Sequence, residues 1–349
     1  MKKQLSTAWI LAIIISLIAF VSGCKDDSSS PPESSTDITY KAAFVVNAGS
    51  NSISVIDLTS NAVKRTIALN NVSWPHHINM SPTKTHMAIG VPGMDLSGGH
   101  GVMMGMTGTI VVLDALTGEI TQSLDIPIMN HNSAFSPNGT EIWTSQMDSM
   151  GTVLVYDATT FQLKNTITVG QLPQEVTFSA DGSMAFVANG MSNTVSVIDI
   201  ATKEIMTTLS VGMNPVGAWQ GSNNKMYVDN EEGQSISVID VATMTVEETV
   251  SLGFTPGYAA YHPQLNELWV SDDTNGRVVY FQRMNNEWMN MGNIPTGAGA
   301  HAIVFSTDGT FAYVTNQLAG TVSVINTSTK AKVKDITVGT KPNGIALKQ

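Results

Sequence analysis

The chain has 349 residues, a net charge of −11 and one cysteine, Cys24. Acids outnumber Lys and Arg by 28 to 17, which excludes a nucleic-acid binder, because neutralising phosphates needs clustered cations. The lone cysteine excludes an intramolecular disulfide and any cysteine-built zinc or iron–sulfur site. Hydrophobic residues make up 42% and charged residues only 13% of the chain, a balance that predicts a folded protein and not a disordered one.

At the N-terminus, Lys2 and Lys3 precede an apolar run from Trp9 to Phe20. The run is short for a bilayer span and has the order of a secretory signal. It ends in Val21-Ser22-Gly23-Cys24, which resembles a bacterial lipobox. The resemblance implies cleavage after Gly23 and lipidation of Cys24, so the membrane is an expected partner through that lipid. Residues 1–23 carry two lysines and no acid, so their removal would take the net charge to −13. Residues 24–39 follow as a Ser/Pro-rich tether. Lys25 at the second mature position lacks the aspartate of inner-membrane retention, and Lys25-Asp26-Asp27 resembles surface-export signals of some lipoproteins. The expected location is the cell envelope, at the outer membrane, the cell surface or its periplasmic face.

From residue 40 onward the chain is one unit repeated seven times. Phe44, Ala88, Trp143, Phe186, Tyr227, Trp269 and Tyr313 occupy one equivalent position, with spacings of 44, 55, 43, 41, 42 and 44 residues. Each unit reads as four short strands rich in Val, Ile, Thr and aromatics, separated by Gly/Asn/Asp turns. Ser52–Asp57, Thr194–Asp199 and Ser235–Asp240 are near copies of the third strand. Four strands per unit predict an all-β, seven-bladed β-propeller over residues 40–349. The first unit opens on a second-type strand and the last segment is an inner-type strand, so the C-terminal strand is expected to close the first blade.

Tyr313-Val314-Thr315-Asn316 carries a family resemblance: the repeated part resembles the YVTN-repeat, YncE-like β-propellers. That resemblance speaks for fold more than for function, since the fold hosts binders, scaffolds and enzymes. Asp57, Asp114, Asp157, Asp199 and Asp240, with Asn326 in the last unit, end the third strands and are read as turn-forming residues. Trp143, Trp219, Trp269 and Tyr313 are expected in the core between blades, and His86 and His262 at the surface.

Function is sought where the units differ. Unit two carries an extra Gly- and Met-rich segment between Pro92 and Gly108, on the face where inner strands begin. His76, His131 and His301 fall at one equivalent position at the start of inner strands, where the other units have Gln174, Gly257, Asn343 and a residue near Pro215. His77 and Asn132 follow directly, and Glu175 follows Gln174. His100, Met103, Met104 and Met106 lie on the insertion, and nine of the 19 methionines fall between residues 80 and 150.

Imidazole suits Cu, Zn, Fe and Ni, and thioether selects Cu(I). His76, His77, His100, His131, His301, Met103, Met104 and Met106 are therefore candidate metal ligands, with copper among the ions this chemistry suits. Asn132, Gln174, Glu175 and Asn343 are candidate ligand-facing groups. Nitrous oxide reductase is similar in placing inner-strand histidines around a propeller axis for copper, but its remaining ligands and its Cys-bearing domain have no counterparts here. Met is equally suited to filling gaps between blades.

No nucleophile elbow, His-Glu-x-x-His or P-loop occurs, and no catalytic residue is assigned. Some propeller lactonases and a lyase use channel-mouth acids or histidines, parts that Glu175, Asp95 and His131 could play. The expectation is a binding or interaction module. Its partner at the mouth is a small ligand, a metal or a protein; the alternatives are a transition-metal binder and a metal-assisted hydrolase or lyase at the same mouth.

Overall fold

Seven four-stranded antiparallel sheets follow one another in the computed structural model, which describes residues 37–97 and 105–349. Their inner strands touch in cyclic order, and the sheets form the blades of a seven-bladed β-propeller. Blades two to seven each use four consecutive strands. Blade one takes Ala42–Asn47, Ser52–Asp57 and Ala62–Ala68 from the start of the ring and Pro342–Lys348 from its end. That last strand lies antiparallel to the first, with Ala43 opposite Leu347 and Val45 opposite Ile345. The expected ring closure is therefore present.

The alternation in sequence sets how each strand is used. Third strands such as Ser235–Asp240 are buried along nearly their whole length, because a blade packs on both neighbours. Outer strands such as Thr245–Ser251 alternate exposed and half-buried residues. Between blades four and five, Phe186, Val195 and Val197 pack against Ala218, Met226, Val228 and Ile239. Trp143, Trp269 and Tyr313 are buried in such layers, as expected.

The recurrent aspartates shape turns. Asp199 Oδ1 accepts hydrogen bonds from the backbone N–H groups of Ala201 and Thr202, both at 2.8 Å. Asp114 and Asp157 each accept from two backbone N–H groups in the same way. One expectation is corrected: His262 is buried, not at the surface. Its Nε2 lies 2.8 Å from the Gly309 carbonyl, and its Nδ1 accepts from Leu265 N–H, so a turn of the next blade covers the ring.

The compact unit begins at Asp37. Ile38, in the segment read as tether, is fully buried, and its N–H donates to the Leu116 carbonyl at 2.7 Å. Cys24, the expected signal and most of the tether lie outside the described residues, as do His100, Met103 and Met104. No helix among the described residues is long and apolar enough to cross a membrane.

Candidate functional site

The inner strands of blades two, three, four and seven bring their first residues to one mouth of the central channel. His76 and His77 precede Ile78–Met80, and His131 precedes Ser133–Phe135. Glu175 lies in Pro173–Phe178 and His301 in Ala300–Phe305. The segment ahead of the first short strand is still tied to its neighbour: His76 N–H donates to Gly90 O, and Gly90 N–H donates to His77 O. Two glycines make the close approach possible. A Cβ on Gly90 would stand 2.7 Å from Asn132 Cα, and one on Gly344 would stand 2.8 Å from His77 Cα.

The histidine rings converge. Ring centroids are 4.5 Å apart for His76–His77, 4.3 Å for His76–His131, 5.1 Å for His77–His131, 5.6 Å for His77–His301 and 6.2 Å for His76–His301. These separations can be tested against one ion. A metal–nitrogen bond of about 2.0–2.1 Å puts an imidazole centroid about 3.2 Å from the metal, so tetrahedrally disposed rings stand about 5.2 Å apart. The observed values bracket that figure. Two overlapping ligand sets have their ligand atoms within 4.8 Å of one another: His76, His77 and His301, and His77, His131 and Glu175. The donor set fits a borderline transition ion, with imidazole nitrogen dominant and one carboxylate oxygen.

Glu175 is the anchor of the second set. Its Oε1 lies 2.5 Å from His131 Nδ1 and 3.5 Å from His77 Nε2. Such a carboxylate–imidazole contact fixes ring orientation and directs the lone pair of the other nitrogen, as is common behind metal-bound histidines. Burial, and then the nearby Asp229 carboxyl, hold the Glu175 carboxyl well above its ordinary range. Asp229 is likewise pushed well up by burial and by Glu231. No Lys or Arg pairs with either acid among the described residues. Two buried carboxyls lining one channel favour a neighbouring cation, since an uncompensated buried charge is costly.

Asp229 was not anticipated, nor were the two aromatic rings beneath the histidines. Asp229 Oδ1 accepts from Trp219 Nε1 at 2.7 Å and from Gly217 N–H at 2.9 Å, which locks the indole in the channel wall. Trp219 stacks on Tyr258 with centroids 3.8 Å apart, and both rings stand about 6 Å from His77. Trp219 therefore serves the channel as well as the inter-blade core. The signal for Asp229 lay in the tetrapeptide repeat: it replaces the Thr315 position, where other units have Val46, Gly90, Ser145, Ala188 and Ser271.

The remaining candidates are placed as follows. The Asn132 amide is engaged with blade four: Nδ2 donates to Val176 O and Oδ1 accepts from Val176 N–H. It positions the strand that carries Glu175. Gln174 is buried, with Nε2 3.5 Å from Asn214 Oδ1, and the buried Asn343 receives Thr315 Oγ1 on its carbonyl. Met106 packs with Met94 against Leu96, Met129, Met147 and Leu172, a gap-filling role. Asp95 is paired with Lys341 at 2.5 Å and is taken up by tethering the insertion.

No family model matches the chain, and no curated protein does. Solved structures match in fold. The periplasmic gluconolactonase PpgL of Pseudomonas aeruginosa is 16% identical with a TM-score of 0.70, over 88% of this chain and 99% of that one. A candidate 6-phosphogluconolactonase of Bacteroides fragilis is 14% identical with a TM-score of 0.71, over 89% and 99%. Hydrazine synthase of Kuenenia stuttgartiensis is 18% identical with a TM-score of 0.64, over 79% and 90%. At such identities the likeness is one of fold alone.

Proposed function

We infer that this chain is a lipid-anchored, extracytoplasmic propeller of the YVTN-repeat type whose channel mouth binds a transition-metal ion. One observation carries the metal reading: four imidazoles from three blades, with Glu175, converge into two ligand sets that share His77. His77 supplies nitrogen together with either His76 and His301 or His131 and Glu175, and in the first case Glu175 orients His131. Copper suits this donor set in an oxidising compartment, where cytosolic thiols do not compete. The lipobox-like Val21–Cys24 supports the anchor.

Elemental analysis and Cu(II) titration of the purified chain test the reading. One ion per chain is expected, with binding abolished in the His76→Ala/His131→Ala/His301→Ala variant; equal binding by both proteins sinks it. Bound metal also raises the melting temperature, because only the folded chain assembles the ligands. The anchor is tested separately by lipid labelling in cells, which Cys24→Ala should eliminate.

A second reading is a lactone hydrolase at the same mouth. It is favoured by the His131–Glu175 contact at 2.5 Å, a pair with the geometry of a general base and its partner, and by fold neighbours named as gluconolactonases. Turnover of glucono-δ-lactone that is lost in Glu175→Gln would support it; absence of turnover in the metal-loaded and metal-free protein removes it.

A further inference from the structure

A cavity of about 500 Å³ occupies the other end of the channel, where the inner strands of blades two to seven finish. That size falls within the roughly 300–1,000 Å³ of small-molecule sites. Turns at residues 263–264 and 306–307 form part of its rim, and Gln220, Pro263, Gln264 and Thr307 are exposed, so solvent reaches it there.

Its walls are aromatic. Phe135, Phe178, Tyr261 and Phe305, from blades three, four, six and seven, are half-buried. Three of them are braced from behind by core rings. Phe178 stands edge-on to Trp143 at 5.7 Å, Phe305 edge-on to Trp269 at 5.3 Å, and Tyr261 stacks on Tyr227 at 5.6 Å. Rings held this way need little ordering when a ligand arrives. Trp219 and Tyr258 also line the cavity, and the stacked pair forms the wall that it shares with the histidine cluster.

The polar groups are neutral. Among the described residues that line the cavity there is no Lys, Arg, His, Asp or Glu. A charged molecule seated here would lose hydration with no counter-charge in the wall, which is costly. The Gln220 and Gln264 amides and the Tyr258 hydroxyl have no hydrogen-bond partner among the described residues. Asn79 Nδ2 donates to Ser133 O at 3.1 Å, which leaves its Oδ1. Burial, and then the Glu175 and Asp229 carboxyls, hold the Tyr258 phenol well above its ordinary range, so it stays a donor. Amides and hydroxyls both donate and accept, as do the hydroxyl and amide groups of a neutral ligand.

We propose that this cavity is a second binding site, for an uncharged ring compound with an apolar face and hydroxyl or amide groups at its edge. The face packs on the aromatic walls, and the edge meets Asn79, Gln220 and Gln264. A phenol-type aromatic and a neutral sugar share this chemistry. The site uses none of the histidines, so the proposal does not rest on the metal reading or on the lactone reading.

The test titrates the purified chain by calorimetry, after dialysis against a chelator so that no metal offers a probe another site. The neutral probes are 2-naphthol and methyl β-glucopyranoside; the charged ones are 2-naphthoate and 2-naphthylmethylammonium. Saturable binding of one neutral probe per chain is expected, and which of the two binds distinguishes the aromatic from the sugar. Both charged probes are expected to bind at least about tenfold more weakly than the neutral one. Gln220→Lys and Gln264→Lys, single changes at exposed positions, should each raise naphthoate affinity about threefold by supplying the missing counter-charge. Absence of binding by both neutral probes overturns the site. Charged probes that bind as tightly as the neutral one overturn its selectivity, and naphthoate affinity unchanged in both lysine variants overturns its location.

Discussion

A Cβ on Gly344 would stand 2.8 Å from Cα of His77 and 2.9 Å from the carbonyl oxygen of His76. Both contacts are to backbone, which cannot swing away as a side-chain end can. Gly344→Ala is therefore expected to displace the His76–His77 pair, lowering Cu(II) affinity at least about tenfold and costing about 1–3 kcal/mol of stability. Calorimetric titration and urea denaturation of the same preparation read both effects. The histidines themselves were legible in sequence, because His76, His131 and His301 share one offset from the repeat. Glu175 was legible only as the neighbour of Gln174; its contact with His131 depends on how two blades are turned about the channel, which no offset encodes. Trp219 had the look of a core residue and is one, but Asp229 also fixes its indole against the channel, where Tyr258 meets it.

At the scale of elements, two blades are locked to the next by the same device. In blade three, Glu141 Oε2 accepts from Trp143 Nε1 at 3.0 Å, and Lys203 of blade four reaches the same carboxylate at 2.7 Å while lying over the indole. In blade six, Glu267 holds Trp269 Nε1 at 2.9 Å and Lys330 of blade seven at 2.6 Å, again with the ammonium over the ring. Both lysines occupy the left-handed backbone region in the turn before the outer strand, φ 66° and 57°, which aims them across the gap. Lys330→Met leaves a largely buried carboxylate with only an indole donor, and a loss of about 2 kcal/mol is expected by urea denaturation. The Glu267→Leu/Lys330→Met double variant should lose less than the two single variants together. The Glu-x-Trp spacing at 141–143 and 267–269 was readable, but its lysine partners lie 62 and 63 residues downstream, a distance at which only the ring geometry identifies them.

Over the whole molecule, the turn carboxylates make acid the weak side of the fold. Asp57, Asp114, Asp157 and Asp199 are held below the ordinary aspartate value, first of all by backbone N–H donors at Thr59, Thr117, Thr160 and Thr202. Asp240 is lowered from 3.8 to about 2, chiefly by the Lys225 ammonium. A carboxyl whose folded value lies below its unfolded value stabilises the fold above the unfolded value, and that contribution is lost as pH falls through the folded one. The contribution of these turn carboxylates, followed by denaturant titration, should therefore be complete above about pH 5 and lost between about pH 4 and pH 2, while Glu175 and Asp229, held above their ordinary values, act in the opposite sense and lower stability as pH rises above about 4. Asp240→Asn should flatten part of the acid-side loss. The fold class was legible because seven units with one strand pattern leave few alternatives. The chemistry of the mouth was less so, because it draws on the units where the pattern lapses.

Ring closure also sets a timetable. Pro342–Lys348 pairs with Ala42–Asn47, about 300 positions earlier, and Gly344 of that closing strand backs the His76–His77 segment. The imidazoles of blades two, three and seven thus cannot reach their final spacing until every intervening blade has been made and the last strand has docked. Contacts this distant in sequence form late, after the entropy of the whole intervening loop has been overcome. A nascent chain consequently exposes scattered histidines but no assembled cluster. An assembled cluster then reports that synthesis and folding are both complete.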